Sequence, residues 1–238
     1  MVSFLERVYG QGGLILIPTP LNEEGSLHPL TKACLERVLG LEKKKILVEE
    51  HKVARRRWLN SGLPRECIAD FVLYNEHTRA ELLHVLVAFI AQGGVCTLMS
   101  DGGLPAFCDP GQELVRGLRE KKLHVSSSDF ENAPILALAL SGFKSETFFF
   151  AGFPPQKEPA RTQWWKDVVQ QNRACVIMET PYHLKKSLAE IQKHQFKRNV
   201  YLAYELQRPE ESHLWGKIDS VIQQSAKLAK GEFVIVLE

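Results

Sequence analysis

VCTLMSDGGLPAFCDPGQELVRGLREKK, residues 95–122, carries the most information about the fold. A mostly apolar, β-rich run ends at Ser100–Asp101, two glycines and two prolines shape a loop, and a helical pattern follows. In open parallel sheets, ligands bind outside the carboxyl ends of the strands, which is where such a loop must lie. Asp109 as N-cap, Pro110 at the first helical position and Gln112 three residues on predict a helix that starts at 110. Gly102–Gly103 allows close backbone approach to a ligand, or simply a tight turn.

The same alternation extends outward. LILIP (14–18), KILVE (45–49), ADFVLY (69–74) and LHVSS (123–127) read as strands, separated by helical spacing over 27–42, 51–60, 78–92 and 112–121. Strand followed by helix, repeated, implies crossover connections and a mainly parallel sheet. PILALALSGF (134–143) is apolar nearly all round and predicts a buried helix. The pattern restarts at FFFAGF (148–153), and a proline-rich loop, PPQKEP, occupies 154–159. Helices near 160–171, 181–193 and 217–229 then alternate with strands ACVIMET (174–180), NVYLAYEL (199–206) and EFVIVLE (232–238). The expectation is an α/β chain of two domains: residues 1–143 with a mainly parallel sheet and the glycine-rich loop, and 144–238, a second domain that mixes strands and helices and whose strand order is open.

Composition removes several classes. At 238 residues the chain is one large or two small domains, given roughly 150 residues per domain. Its 45% hydrophobic and 24% charged residues exclude disorder, collagen and coiled coil. No apolar run approaches the roughly 20 residues of a membrane span, because LLHVLVAFIA (82–91) contains His84 and ends near Gly93–Gly94. Glu6 and Arg7 interrupt the N-terminus where an export signal needs apolar residues, so a soluble, cytoplasmic protein without membrane contact is expected. Five cysteines without a CxxC pair, three of them in apolar runs, read as buried thiols rather than disulfides or metal ligands. A net charge of +2 does not decide for or against nucleic acid.

Chemistry is sought at strand ends. Neither GxxxxGK[ST] nor a strand-borne GxGxxG occurs, which removes the nucleoside-triphosphate loop and the dinucleotide fingerprint. IPTPL (17–21) ends the first strand on two prolines, leaving carbonyls and the Thr19 hydroxyl for partners, or merely stopping the strand. IMETPYHL (177–184) places Glu179 at a strand's carboxyl end, with Thr180 as helix N-cap and Pro181 in the first turn. His51, His77, His84 and His183 form no HExxH and no short-spaced pair with cysteine, so no metal site is expected. The basic runs KKK (43–45) and RRR (55–57) either meet phosphates or form solvated faces. Of the adjacent Trp164 and Trp165, one is expected in the core.

LILIPTPLN (14–22), VEEHKVARRRWL (48–59), YNEHT (74–78), MSDGGLPAFCDPG (99–111), FFFAGFPPQK (148–157), METPYHL (178–184), AYEL (203–206) and KGEFVIVLE (230–238), taken in order, resemble one family. It is the tetrapyrrole methylase superfamily, class III among S-adenosylmethionine-dependent methyltransferases, and within it the branch of ribosomal small-subunit RNA cytidine 2′-O-methyltransferases. The resemblance covers about residues 12–238. It implies a two-domain α/β methyltransferase that binds S-adenosylmethionine in the interdomain cleft, acts on RNA and forms a homodimer. Carried over by motif position, Pro18, Pro20, Asp101, Gly103, Leu104, Phe107, Asn132, Ala133, Met178 and Ala203 would contact the cofactor. Glu179 and Asp101 are the candidate catalytic carboxylates, since a ribose hydroxyl needs help in losing its proton.

The chain departs from the branch in the turn expected to cradle the cofactor and, more widely, on the acceptor side. Phe130-Glu131-Asn132 stands where the branch has Gly-Pro-Ser, Glu49-Glu50-His51-Lys52 where it has an acidic-Asp-Thr-Arg stretch, and Tyr182–His183 where it has His-Arg. Two rival readings follow: a methyltransferase for a small molecule such as a tetrapyrrole, and a non-catalytic cofactor-binding relative. The position of Arg55–Arg57, Arg161 and Lys185–Lys186, on a face or in a cleft, should separate an RNA from a polycarboxylate acceptor.

Overall fold

A computed structural model describes residues 4–22 and 24–238. The chain forms two compact units, one ending at Glu131 and the other running Asn132–Glu238. The first contains α1 (Phe4–Gln11), β1 (Gly13–Ile17), α2 (Pro29–Leu39), β2 (Lys44–Val48) and α3 (His51–Asn60). A 3-10 turn at Arg65–Asp70 leads to β3 (Phe71–Leu73), α4 (Arg79–Ala91), β4 (Val95–Met99), α5 (Gln112–Glu120) and β5 (His124–Ser127). Each strand read from the sequence is present; α1 and the 3-10 turn are additions.

The five strands run in the order β3-β2-β4-β1-β5 with every pairing parallel. β1 and β4 are buried along their whole length, as central strands covered on both faces must be. Ile15, Ile17, Ile46, Val48, Val95 and Met99 pack with Cys34, Leu35 and Val38 of α2 and Ala54 and Trp58 of α3. The alternate residues Leu14, Leu16, Leu47, Cys96 and Leu98 are also buried, and by the period of two they face the opposite side, where α4 lies on β1 and β4. After β1 the chain leaves toward β2, and after its neighbour β4 it leaves the other way, toward β5. β1 lies on the β5 side of β4, so the two connections pass one another, and their first loops start from adjacent carboxyl ends, the edge at which α/β sheets bind ligands.

The second unit contains α6 (Ala133–Ser141), β6 (Phe148–Gly152), α7 (Ala160–Val169), β7 (Ala174–Glu179), α8 (Leu184–Lys193), β8 (Val200–Tyr204), β9 (Ser212–Gly216), α9 (Ile218–Ser225) and β10 (Phe233–Leu237). Its sheet has the order β6-β7-β10-β8-β9, parallel only between β6 and β7. One face buries Cys175, Ile177, Leu202 and Ile235 against Trp165, Leu188, Ile191 and Val221. α6 lies against β7, β8 and β10. That helix was expected with the first domain; its packing on this sheet puts the division at 131/132 rather than 143/144. Of the two tryptophans, Trp165 is the core residue. β9 has no signal in the sequence because SHLWG buries only Leu214.

Two helix starts differ from expectation. α5 begins at Gln112, with Gly111 rather than Asp109 as N-cap. Gly111 has φ +128 and lies so close to Leu98 that a Cβ would fall 2.4 Å from Leu98 Cδ2, so the chain completes a left-handed turn before the helix can start. Asp109 turns its carboxylate to Ser100 instead of capping. α8 likewise begins at Leu184 with His183 as N-cap, because Thr180–His183 forms a separate turn closed by His183 N–H to Thr180 O at 3.0 Å. Cys34, Cys96 and Cys175 are buried thiols, Cys67 is half-buried and Cys108 exposed. No helix among the described residues is long and apolar enough to cross a membrane.

Candidate active site

The carboxyl-end edge of the first unit carries two strand-end loops that pair with each other. Thr19 N–H donates to Gly103 O at 2.8 Å and Gly103 N–H to Thr19 O at 3.0 Å, a small antiparallel bridge joining the PTP and SDGG segments. Gly103 adopts φ +88, the conformation that glycine takes without penalty. The Thr19 hydroxyl donates to Ser100 O at 3.2 Å. Arg57, buried on α3, donates to Pro20 O at 2.6 Å and Asp101 O at 2.5 Å. The first strand end is therefore tied internally, and the Pro20 carbonyl and Thr19 hydroxyl have protein partners. Pro18, Pro20, Asp101, Gly103 and Phe107 are partly exposed around this bridge, whereas Leu104 is buried.

Carboxylates crowd the same strand ends. Glu49, following β2, accepts the Asp101 amide at 3.1 Å. Burial, then the charges of Glu49 and Glu50, push the Asp101 carboxyl up to about 6. Burial, Glu49 and Asp101 do the same to Asp109, also to about 6. Asp101 thus holds a proton more tightly than an ordinary carboxylate yet is mainly ionised at neutral pH.

The second unit contains a cleft of about 400 Å³. Its floor is a row across three strands: Met178 on β7 pairs with Val234 on β10, and Val234 with Ala203 on β8. Partners in an antiparallel register share a face, so these side chains stand side by side. Ala133 at the start of α6, Phe153, Leu206 and Pro181 form apolar walls, and Thr180, Glu179, Arg208 and Glu232 supply the polar groups. Three expected contacts, Ala133, Met178 and Ala203, meet here. Asn132 stands beside them in the chain, but its Oδ1 accepts from Ile135 N–H at 3.1 Å as the N-cap of α6.

Glu179 is engaged on both oxygens. One accepts from Arg161 at 3.0 Å; the other accepts the Thr180 amide at 2.8 Å and lies 3.2 Å from His183 Nδ1. Burial works the other way, but the Thr180 amide, Arg161 and His183 hold its carboxyl below the usual range. Arg161 also grips Glu190, at 2.7 and 2.8 Å. Neither Arg57 nor Arg161 belongs to a basic surface, as both are buried. Arg56 pairs with Glu24 at 2.9 Å; Arg55, Lys185 and Lys186 are exposed. Arg57 was legible only as one of three arginines, and Val234 only as one residue of an apolar run. Helical phase for the first and strand register for the second would have been needed to single them out. No group of described His, Cys, Asp and Glu side chains is arranged to hold a metal.

No family model matches the chain. Curated relatives match nearly all of it. Ribosomal RNA small subunit methyltransferase I of Neisseria meningitidis serogroup B is 28% identical over 230 residues, 95% of this chain and 76% of that protein. The protein of the same name from Halalkalibacterium halodurans is 27% identical over 96% of this chain and 76% of its own. That of Haemophilus influenzae is 28% identical over 95% and 78%. Among solved structures, a uroporphyrin-III-C-methyltransferase from Thermus thermophilus aligns with 93% of this chain and 90% of its own at 14% identity, with a TM-score of 0.32. Motif order and relatives matched along most of their length agree: the chain is a methyltransferase, similar over nearly its whole length to the ribosomal RNA small subunit methyltransferase I proteins.

Proposed function

We propose that the protein is an S-adenosylmethionine-dependent RNA methyltransferase, with ribosomal RNA as acceptor and a ribose 2′-hydroxyl as the methylated atom. The observation that carries the cofactor part is the Met178–Val234–Ala203 row with Ala133 beside it. An apolar floor with a few polar groups at the edge, in about 400 Å³, suits an adenosine-sized group. On this reading Met178, Ala203, Ala133 and Asn132 of the second unit, and Pro18, Pro20, Asp101, Gly103, Leu104 and Phe107 of the first, are the cofactor's contacts. The acceptor part is supported by the names of the relatives.

When bound, the cofactor supplies an electrophilic methyl group on a sulfonium. The protein has little covalent work to do: it positions two substrates and excludes water. Asp101 is the base that takes the hydroxyl proton on its carboxylate, because a carboxyl raised to about 6 is ionised at neutral pH and still basic. Glu179, held down by Arg161 and the Thr180 amide, positions the strand end instead. A tetrapyrrole acceptor is disfavoured by the cleft lining, where Glu179 and Glu232 accompany an Arg208 already paired with Glu205 at 2.7 Å. Exposed Arg55, Lys185 and Lys186 are available to phosphates. A cytoplasmic homodimer belongs to the same reading.

The test is calorimetric titration with S-adenosylmethionine and S-adenosylhomocysteine, followed by transfer of labelled methyl to small-subunit rRNA. Micromolar binding with label in ribose supports the reading. Binding without transfer to any RNA points to the non-catalytic relative or to another acceptor, and no binding by folded protein removes the cofactor reading.

A further inference from the structure

The row on the cleft floor does not stop at Ala203, which pairs with His213 on β9. His213 has a side-chain exposure of 2% and is hydrogen-bonded on both ring nitrogens. Nδ1 lies 2.6 Å from the hydroxyl of buried Tyr201, and Nε2 lies 2.9 Å from Glu211 Oε1. A carboxylate can only accept, so Nε2–H donates to Glu211; a neutral ring then accepts the Tyr201 hydroxyl proton at Nδ1. The other oxygen of Glu211 accepts the Gln207 amide at 2.6 Å.

Gln207 belongs to the loop that joins β8 to β9 and that carries Leu206 and Arg208 to the cleft wall. The residues flanking Leu206 have left-handed backbones, Glu205 at φ +49 and Gln207 at φ +60. Such conformations persist in non-glycine residues only where the surroundings enforce them, and they gather at ligand clamps. The enforcing contacts are specific. Glu205 accepts Glu232 N–H at 2.5 Å and pairs with Arg208, while its own N–H donates to Glu232 O at 2.9 Å. Gln207 is held by Glu211, and Glu211 by His213.

We infer that Glu211 and His213, neither of which lines the cleft, are positioning residues that lock the Leu206–Arg208 wall through a buried chain from Tyr201. The chain is Tyr201 hydroxyl, His213 imidazole, Glu211 carboxylate, Gln207 amide. Removal of the imidazole takes a buried partner from the carboxylate, the loop relaxes out of its left-handed conformation and the wall leaves the ligand. The inference rests on the proposed cofactor reading of this cleft.

S-Adenosylhomocysteine is titrated into wild type, His213→Leu, His213→Asn and His213→Gln, with melting temperatures recorded in parallel. Gln can place an amide donor where Nε2 stood, whereas Asn places one nearer Nδ1 and cannot reach Glu211. Affinity falls about tenfold or more in the Leu and Asn variants and stays within about threefold in Gln. Ile191→Val, a buried change in α8 outside the loop, controls for stability loss alone and keeps wild-type affinity. Hydrogen exchange on unliganded protein shows the Gln207 amide protected in wild type and exposed in His213→Leu. Equal affinity in Leu, Asn and Gln, or a loss in Ile191→Val as large as in Leu, overturns the inference while the cofactor reading stands. Failure of folded wild type to bind the ligand overturns both.

Discussion

Thr19 and Gly103 exchange both of their backbone hydrogen bonds, at 2.8 and 3.0 Å, so the loops that follow two adjacent parallel strands are stitched into one surface. Sheet order explains why they can meet. β1 and β4 are parallel neighbours, so the loops that leave their carboxyl ends start side by side. The bridge joins these loops with backbone rather than side chains, so a ligand there would meet glycine and proline main chain.

Bulk in this loop should separate a ligand surface from a simple turn. Gly102 is the residue to change: a Cβ there meets only Pro20 O, at 3.9 Å, while Gly103 has a positive φ that strains any side chain. Gly102→Trp is expected to melt within about 2 °C of wild type and to bind S-adenosylhomocysteine at least about tenfold more weakly. Unchanged affinity by calorimetry would make the loop structural.

Arg57 holds this surface from below through the carbonyls of Pro20 and Asp101. Arg57→Met keeps the volume and removes both donors, and is expected to lose about 2–4 kcal/mol in urea unfolding. Arg57→Lys recovers part of this, since an ammonium is not a planar fork set for two carbonyls. A Met variant as stable as wild type would show that the two loops hold each other without help.

How much of this could be read beforehand follows the range of the interactions. The strands of the first unit are short apolar runs between helical patterns, and each is where the sequence puts it. The starts of α5 and α8 are not, although Asp109-Pro110 and Thr180-Pro181 carry good local capping signals. A tertiary contact decided the first: Gly111 against Leu98 forces one more turn, and Asp109 goes to Ser100. The sequence leaves Arg57 and Arg161 open between a basic face and a cleft, while the fold turns both inward to carbonyls and carboxylates. Met178 and Ala203 were named by motif, but only the register through Val234 makes them neighbours.

Asp109 should make stability fall as pH rises. Burial, Glu49 and Asp101 raise its carboxyl to about 6 in the folded protein, against about 3.9 in the unfolded chain. The native state therefore binds the proton more tightly; the contribution is full below about 4 and is lost as pH climbs through about 6. Asp109→Asn is expected to raise the melting temperature at pH 7.5 by about 2 °C or more, with the difference shrinking toward pH 4. A difference independent of pH would mean that the charge of Asp109 is not what the cluster resists.

Asp101 and Glu179 are both carboxylates at strand ends, and their surroundings push them in opposite directions. Asp101 is raised to about 6 by burial and by Glu49 and Glu50, whereas Glu179 is held low by the Thr180 amide, Arg161 and His183. A base needs residual affinity for the proton, so on the proposed reading Asp101 rather than Glu179 is the one to accept it from a ribose hydroxyl. Asp101→Asn is expected to lower kcat by about 10²–10³-fold with cofactor affinity within a few fold, and wild-type kcat should rise with pH through about 6 and then level. Glu179→Gln should act on the fold: Arg161 keeps Glu190 but loses a buried partner, a loss of about 3 kcal/mol, with kcat per folded molecule within a few fold. Rate and stability are thereby assigned to different residues, and single-turnover methylation beside urea unfolding of the two variants checks both. The reverse pattern, turnover lost in Glu179→Gln and kept in Asp101→Asn, would move the proton to the second unit.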